Sequence, residues 1–181
     1  MNKSKIRSKI LKFRKKNFNK DLKINIDKFI SFLKINIRYA KSIGGYYPSN
    51  YEIDDLEILD ALDRKNFKIS LPIVKKNNQM DFYSWSKKDP FKVNKFGIPE
   101  PIPSKILYPD ILLVPLVGYD NKLNRLGYGG GYYDRYIEKI DKIKKVTKVG
   151  LAFSHQNIKS IPISKYDKKL DFIITEKEII K

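Results

Sequence analysis

The chain has 181 residues, 41% hydrophobic and 13% aromatic, with 38 Lys and Arg against 20 Asp and Glu for a formal net charge of +18. That composition suits one globular domain spanning residues 1–181, with a sizeable core, and excludes a disordered chain. There is no cysteine, which excludes disulfides, thiolate metal sites and cysteine nucleophiles, and the lone histidine, His155, excludes a multi-histidine zinc site and is given no role.

The N-terminal stretch MNKSKIRSKILKFRKKNF is basic and amphipathic like a transit peptide. It lacks the serine and alanine richness of one and runs straight into the next periodic segment, and no secretory apolar region is present, so a cytoplasmic protein is expected. Residues 4–18 read as a helix in which Ile6, Ile10 and Phe13 share a buried face, with Lys3, Arg7 and Arg14 along one edge of that stripe. Lys9, Lys12, Lys15 and Lys16 read as a solvated face, whereas Lys3 and Arg7 are placed to grip an anion. A second helix is expected over Leu22–Ala40, with Leu22, Ile26, Phe29, Leu33, Ile37 and Ala40 inward and Gly44–Gly45 as its stop. A third helix is expected near 53–65.

Strands are expected at 67–74, 80–85, 110–119, 146–153 and 170–176, and the continuous apolar run Ile111–Val114 suits a strand covered on both faces. Residues 97–103, GIPEPIP, read as a loop because proline supplies no ladder donor. Strands alternating with helices give an α/β domain with a largely parallel sheet flanked by helices, and no run approaches the roughly 18 apolar residues of a membrane span.

The stretch NRLGYGGGYYDRY (124–136) stands where a strand should hand over to a helix. Glycines there expose backbone amides to an anion at the positive end of the helix dipole. It is neither a Walker loop nor a Rossmann fingerprint, since there is no GxxxxGK[ST] and Tyr132 stands where a final glycine is needed. Arg125 adds a cation for phosphate, Tyr132 and Tyr133 add flat faces, and Asp134 adds a carboxylate able to hold Mg²⁺.

These residues also carry a resemblance. RLGYGGGYYDR (125–135), preceded by DILLVPLVGYD (110–120), resembles the signature of the 5-formyltetrahydrofolate cyclo-ligases (5,10-methenyltetrahydrofolate synthetases). KSKIRSKI, YYPSNYEID (46–54), LPIV (71–74), MDFYSW (80–85), GIPEP (97–101), GLAFSHQ (150–156) and IPISKYDKKLDFIITE (161–176) are similar to further blocks of that family, in order. The resemblance implies a single α/β domain like those of sugar-phosphate isomerases and CoA transferases. It implies an ATP- and Mg²⁺-dependent ligase that cyclises 5-formyltetrahydrofolate, with or without a polyglutamate tail, as a monomer with no membrane or specific nucleic-acid partner.

Residue by residue, the resemblance implies ATP contacts from Lys3, Arg7, Arg125, Gly127, Tyr128, Gly129, Gly130, Gly131, Tyr132 and Tyr133. It implies catalytic roles for Arg125 and Tyr132, folate contacts from Tyr47, Glu52, Tyr128, Gly131 and Tyr132, and Mg²⁺ on Asp134 and Asp167. Glu100 is expected to brace the site, and Trp85 is left open. The family often carries histidine where this chain has Tyr166. The rival reading from charge alone is a basic RNA- or DNA-binding protein, but the lysines are scattered from Lys3 to Lys181 and form no single stripe.

Overall fold

Ile111, Leu112, Leu113 and Val114 are all fully buried. Successive side chains of a strand point to opposite faces, so a run apolar at both parities needs cover on both sides. The computed structural model describes residues 2–181 and supplies that cover. In chain order come helices α1 (Lys3–Lys16) and α2 (Ile26–Asn36), strand β1 (Ser42–Gly44), helix α3 (Leu56–Asp63), and strands β2 (Lys68–Val74) and β3 (Met80–Ser84). Short strands β4 (Phe91–Val93) and β5 (Pro99–Pro101) precede β6 (Ile111–Pro115) and the small strands β7 (Gly118–Tyr119) and β8 (Arg125–Leu126). Helix α4 (Tyr132–Asp141) then leads to β9 (Thr147–Leu151), β10 (Phe172–Ile174) and β11 (Ile179–Ile180).

The main sheet has seven strands in the order β11-β10-β9-β6-β1-β2-β3. Pairings from β10 through β2 are parallel, and β3 and β11 close the two edges antiparallel. The chain runs outward from β1 to β3, then returns to β6 on the other side of β1 and continues outward to β10. The reversal between β1 and β6 is a topological switch point, where α/β sheets leave a crevice beyond their carboxyl ends.

One face of the sheet packs Ile43, Ile69, Leu71, Ile111, Leu113 and Val149 against Phe29 and Leu33 of α2 and Leu59 and Leu62 of α3. The other packs Leu112, Val114 and Ile173 against Tyr136, Ile137 and Ile140 of α4. Helix α1 lies apart, with Ile6 and Ile10 on Val117, Leu126 and Ile161. Among the described residues no helix is long and apolar enough to cross a membrane.

Several expectations need correction. The second helix is shorter than Leu22–Ala40, because the Asn25 side chain caps it by accepting from the Lys28 amide at 2.9 Å, and beyond Asn36 the chain turns into β1. Gly44 and Gly45 are not a helix stop. Gly44 ends a central strand, and a Cβ on Gly45 would lie 2.4 Å from Leu59 Cδ1 and 2.6 Å from Asp55 Oδ2, so bare backbone is needed to pass α3. Phe13 is exposed and meets the His155 ring instead of joining Ile6 and Ile10 in the core.

The GIPEPIP segment contains a strand, β5, paired antiparallel with β4. Asn94 N donates to Ile98 O at 3.0 Å, and Lys92 faces Glu100 two residues on. The ladder therefore uses the non-proline positions, and Pro99 and Pro101 fall where no donor is required. The 110–119 run is also two elements, since β6 ends at Pro115 and Gly118–Tyr119 pairs with Arg125–Leu126.

Candidate active site

A cavity of about 900 Å³ opens beyond the carboxyl ends of the central strands, lined by Tyr46 and Tyr47 after β1, Leu71 and Val74 of β2 and Pro115 at the end of β6. This is the crevice that the switch point predicts. Its size lies in the upper range for small-molecule sites.

One wall is built by α1, the glycine loop and the start of α4. Asn2 caps α1 by accepting from the Ser4 amide at 3.0 Å, which starts the helix so that Lys3 and Arg7 line the cavity. Arg7 Nε donates to Gly127 O at 2.6 Å, and Lys3 Nζ reaches Asp167 Oδ2 at 2.5 Å. Gly129 and Gly131 have φ of +101° and +68°, and Gly131 is the N-cap of α4. Only glycine adopts both without strain. A Cβ on Gly129 would also stand 3.4 Å from the Arg7 guanidinium carbon. Among the described residues the amides of Gly129, Gly130 and Gly131 find no acceptor, so three donors stay unpaired just ahead of the helix terminus, the kind of position that suits an anion. Arg125 NH2 donates to Asp134 Oδ1 at 2.6 Å, and the Lys168 amide donates to the same oxygen at 3.1 Å. Burial pushes the Asp167 carboxyl up, but hydrogen bonds from Lys3 and from Ser164 hold it below the usual carboxylate range.

The opposite wall is formed by the segment after β1. Glu52 is 8% exposed, and its Oε2 accepts from the Ser49 amide at 2.7 Å and the Ser49 hydroxyl at 3.2 Å. Burial pushes its carboxyl up, opposed by the Ser49 amide, by Tyr128 and by the Arg14 charge. Tyr47 packs edge-on to Phe91 with ring centroids 5.3 Å apart. Tyr128 and Tyr132 line the space between the walls. Tyr132 Oη donates to Asn78 Oδ1 at 3.3 Å, and its ring meets Phe96 edge-on at 6.0 Å. Arg135 Nε donates to Asn78 O at 2.9 Å, so the β2–β3 turn is tied to the glycine loop.

This geometry is accompanied by likeness to known proteins. Residues 1–176 match the 5-formyltetrahydrofolate cyclo-ligase family. The chain belongs to that family. A family member from Haemophilus influenzae, 5-formyltetrahydrofolate cyclo-ligase, is 34% identical over 145 residues, covering 75% of this chain and 76% of its own. The NMR structure of Aquifex aeolicus 5,10-methenyltetrahydrofolate synthetase superposes with a TM-score of 0.79 at 31% identity, covering 99% of this chain and 92% of that one. A 5,10-methenyltetrahydrofolate synthetase from Mycoplasma pneumoniae gives a TM-score of 0.76 at 25% identity, covering 97% and 99% respectively.

In this cyclo-ligase family chain, the residues singled out from sequence converge on one cavity. Lys3, Arg7, Arg125, Gly127 to Asp134 and Asp167 line it, as do Tyr47 and Glu52. Glu100 lines it too, accepting from Val74 N at 3.1 Å and Asn94 Nδ2 at 3.3 Å, which fixes the β4–β5 ribbon to the sheet edge. Tyr166, 68% exposed, stands at the rim beside Asp167. Trp85 is buried in the core beside Phe91, and His155 stacks on Phe153; neither lines the cavity. The glycine loop follows β8 of a small hairpin, not the long strand β6 directly.

Sequence reasoning passed over two buried ionisable residues that bond to lining residues of this cavity. Arg14, on the same helix edge as Lys3 and Arg7, is buried behind the cavity; that shared edge was the available signal. Asp55, fully buried, accepts from Tyr46 N at 3.0 Å through Oδ2 and leaves Oδ1 without a partner. Nothing in the local sequence marks it.

Proposed function

We propose that this chain converts 5-formyltetrahydrofolate to 5,10-methenyltetrahydrofolate at the expense of ATP, which leaves as ADP and phosphate. One observation carries the reading: a single cavity has one wall of cations and free amides, suited to a triphosphate, and another with a buried acceptor beside an aromatic, suited to a flat ring edged with N–H donors. Two substrates bound side by side meet between Tyr128 and Tyr132.

A formamide carbon is a poor electrophile, and its oxygen is a poor leaving group. In the proposed sequence the formyl oxygen attacks the γ-phosphorus of ATP and the bond to the ADP oxygen breaks. N10 then attacks the activated formyl carbon and the carbon–oxygen bond to phosphate breaks. N10 loses its proton, and the product cation is shared between N5 and N10. Such a reaction needs alignment and stabilisation of moving negative charge more than it needs an acid or base. Arg7, Lys3, Arg125 and the amides of Gly129–Gly131 take the phosphate oxygens, Tyr132 separates the nucleotide from the folate, and Glu52 accepts from the ring N–H groups while Tyr47 packs on the ring.

The donor set fits Mg²⁺. Asp134 and Asp167 each gather their hydrogen bonds on one oxygen, Oδ1 and Oδ2 respectively, which leaves the other oxygen of each as the donor that would hold a cation. Among the described residues no group of three or more His, Cys, Asp or Glu could hold an ion by itself, so the remaining positions fall to water and phosphate oxygens, the normal habit of Mg²⁺. When bound, the ion supplies neutralisation of phosphate charge.

The test is the near-ultraviolet absorbance of the methenyl product after mixing the protein with 5-formyltetrahydrofolate, ATP and Mg²⁺. A rise that requires all three supports the reading. No rise from folded protein, together with sequence-selective RNA binding that persists at physiological salt, would replace it with the nucleic-acid alternative.

A further inference from the structure

Two guanidinium groups hold carbonyls of the glycine loop. Arg7 from α1 donates to Gly127 O at 2.6 Å, and a terminal nitrogen of Arg135 from α4 donates to Gly130 O. Arg135 also donates through Nε to Asn78 O, at 2.9 Å, in the β2–β3 turn. Its head lies flat against the loop, since a Cβ on Gly131 would stand 3.0 Å and 3.1 Å from its two terminal nitrogens. Among the described residues no carboxylate pairs with Arg135, although Asp134 and Glu138 are neighbours on its helix. Both bonds go instead to carbonyls of two separate segments, which uses the planar fork of a guanidinium and not merely its charge.

The far end of this bridge is held in an uncommon shape. Asn77 and Asn78 have φ of 56° and 52°, values that most side chains avoid and asparagine tolerates best. Asn78 presents both of its oxygens to α4: the backbone oxygen accepts from Arg135, and Oδ1 accepts from Tyr132 Oη at 3.3 Å. The turn is thus a doubly tied anchor for the bridge. Asn78, Gly130, Gly131, Tyr132 and Arg135 all line the cavity.

The effect on the loop follows from the peptide unit. The Gly130 carbonyl and the Gly131 amide share one planar trans peptide, so they point in opposite directions. With the carbonyl held by Arg135, the amide faces away from the guanidinium. Gly131 is the N-cap of α4, and among the described residues its amide has no acceptor, so it belongs to the donors left for an anion. We propose that Arg135 is a positioning residue for the nucleotide side of the cavity: by bridging Asn78 and Gly130 it fixes the direction of the Gly131 amide. That the anion is ATP rests on the function proposed above; the bridge does not.

The glycines themselves allow the bridge to be read without turnover. Only Gly45, Gly130 and Gly131 follow another glycine. In protein labelled with ¹³C-carbonyl and ¹⁵N glycine, a carbonyl-filtered amide spectrum therefore holds those three signals, and Gly130→Ala identifies the loop pair by deleting both. Arg135→Ala should displace the loop pair and leave Gly45 in place. The KM for ATP should rise about tenfold, the scale of one hydrogen bond to a charged group. Binding of 5-formyltetrahydrofolate without nucleotide should change little. Arg135→Lys keeps the charge but cannot serve two carbonyls from one fork, so it should behave as Arg135→Ala does. Arg135 is exposed, and should the alanine variant still fail to fold, the lysine variant makes the same test. Recovery by lysine in either measurement would make Arg135 a plain charge for the anion and overturn the assignment. Loop signals or an ATP KM left unmoved by Arg135→Ala would overturn it equally. Displaced loop signals in protein whose parent never turns over 5-formyltetrahydrofolate leave the bridge standing and remove the proposed activity.

Discussion

On the glycine-loop wall of the cavity, acid and cation touch: Asp134 meets Arg125 at 2.6 Å and Asp167 meets Lys3 at 2.5 Å. On the facing wall Glu52 lines the cavity, and Asp55 is fully buried against Tyr46 of that wall; neither has a cation in contact, and burial pushes both carboxyls up. The first wall pairs its two aspartates with cations and, among the described residues, leaves Arg7 bonded only to a carbonyl. An arriving polyanion with its own cation can re-partner both pairs, the anion taking Arg125 and Lys3 while the cation takes the two aspartates. The second wall carries acid that the fold leaves under-solvated, so a donor-rich ligand edge gains more there than it would at a surface carboxylate. One cavity thus offers two kinds of complementarity, which is what the proposed pairing of a nucleotide with a folate ring requires.

The contrast breaks most severely at Arg125. Arg125→Ala should lower kcat by about 10²–10³, the scale for losing one positioned donor to developing charge. It also leaves Asp134 without its cation on the wall proposed to accept a triphosphate. Initial rates at saturating substrates check this, and a near-wild-type kcat would remove Arg125 from the phosphate role. Asp134→Asn should act on the other partner. The Mg²⁺ concentration for half-maximal rate should rise by about 10–100-fold, comparable to the loss of a supporting group at a metal site. Rate against Mg²⁺ at fixed ATP reads it, and an unchanged requirement would leave Asp134 as a structural partner of Arg125 only.

How far the sequence foretold these walls differs in the same way. The glycine-loop wall was legible because its chemistry is contiguous: Arg125, the glycines and Asp134 lie within ten residues, and Lys3 and Arg7 share an edge at helical spacing. The central strands were legible where periodicity had room to speak, as in Ile111–Val114. Strand β1 was not, because Ser42–Gly44 is three residues long and is buried only by virtue of the neighbours β2 and β6. Pro99–Pro101 misled because a pairing partner determines which amides a strand must donate. Arg14 and Asp55 escaped for a related reason. A charge is buried by what folds over it from elsewhere in the chain; helical spacing sets Arg14 on the edge shared by Lys3 and Arg7 but does not show what covers it.

Asp55 sharpens the comparison on the acid-rich wall and gives the smallest effect. It is fully buried, with a single hydrogen bond from Tyr46 N, and Oδ1 lies unpartnered in a region where the Tyr133 hydroxyl is also without a partner. Burial raises its carboxyl well above the ordinary value of 3.8, and the nearby charges of Asp54 and Glu52 push the same way. A carboxyl whose folded pKa is raised binds its proton more tightly in the folded chain than in the unfolded one. Its favourable contribution is complete below 3.8 and is lost as pH climbs through the folded value. The amide introduced by Asp55→Asn cannot titrate, and its oxygen can still accept from Tyr46. The stability of Asp55→Asn relative to the parent should therefore increase with pH above about 4, with a slope of at most about 1.4 kcal/mol per pH unit, and level off once Asp55 has ionised in the folded parent. Urea unfolding of both proteins across that range measures the difference directly, with titrations common to the two chains cancelling. A difference independent of pH would mean that Asp55 ionises alike in both states, and that the two walls do not treat charge differently after all.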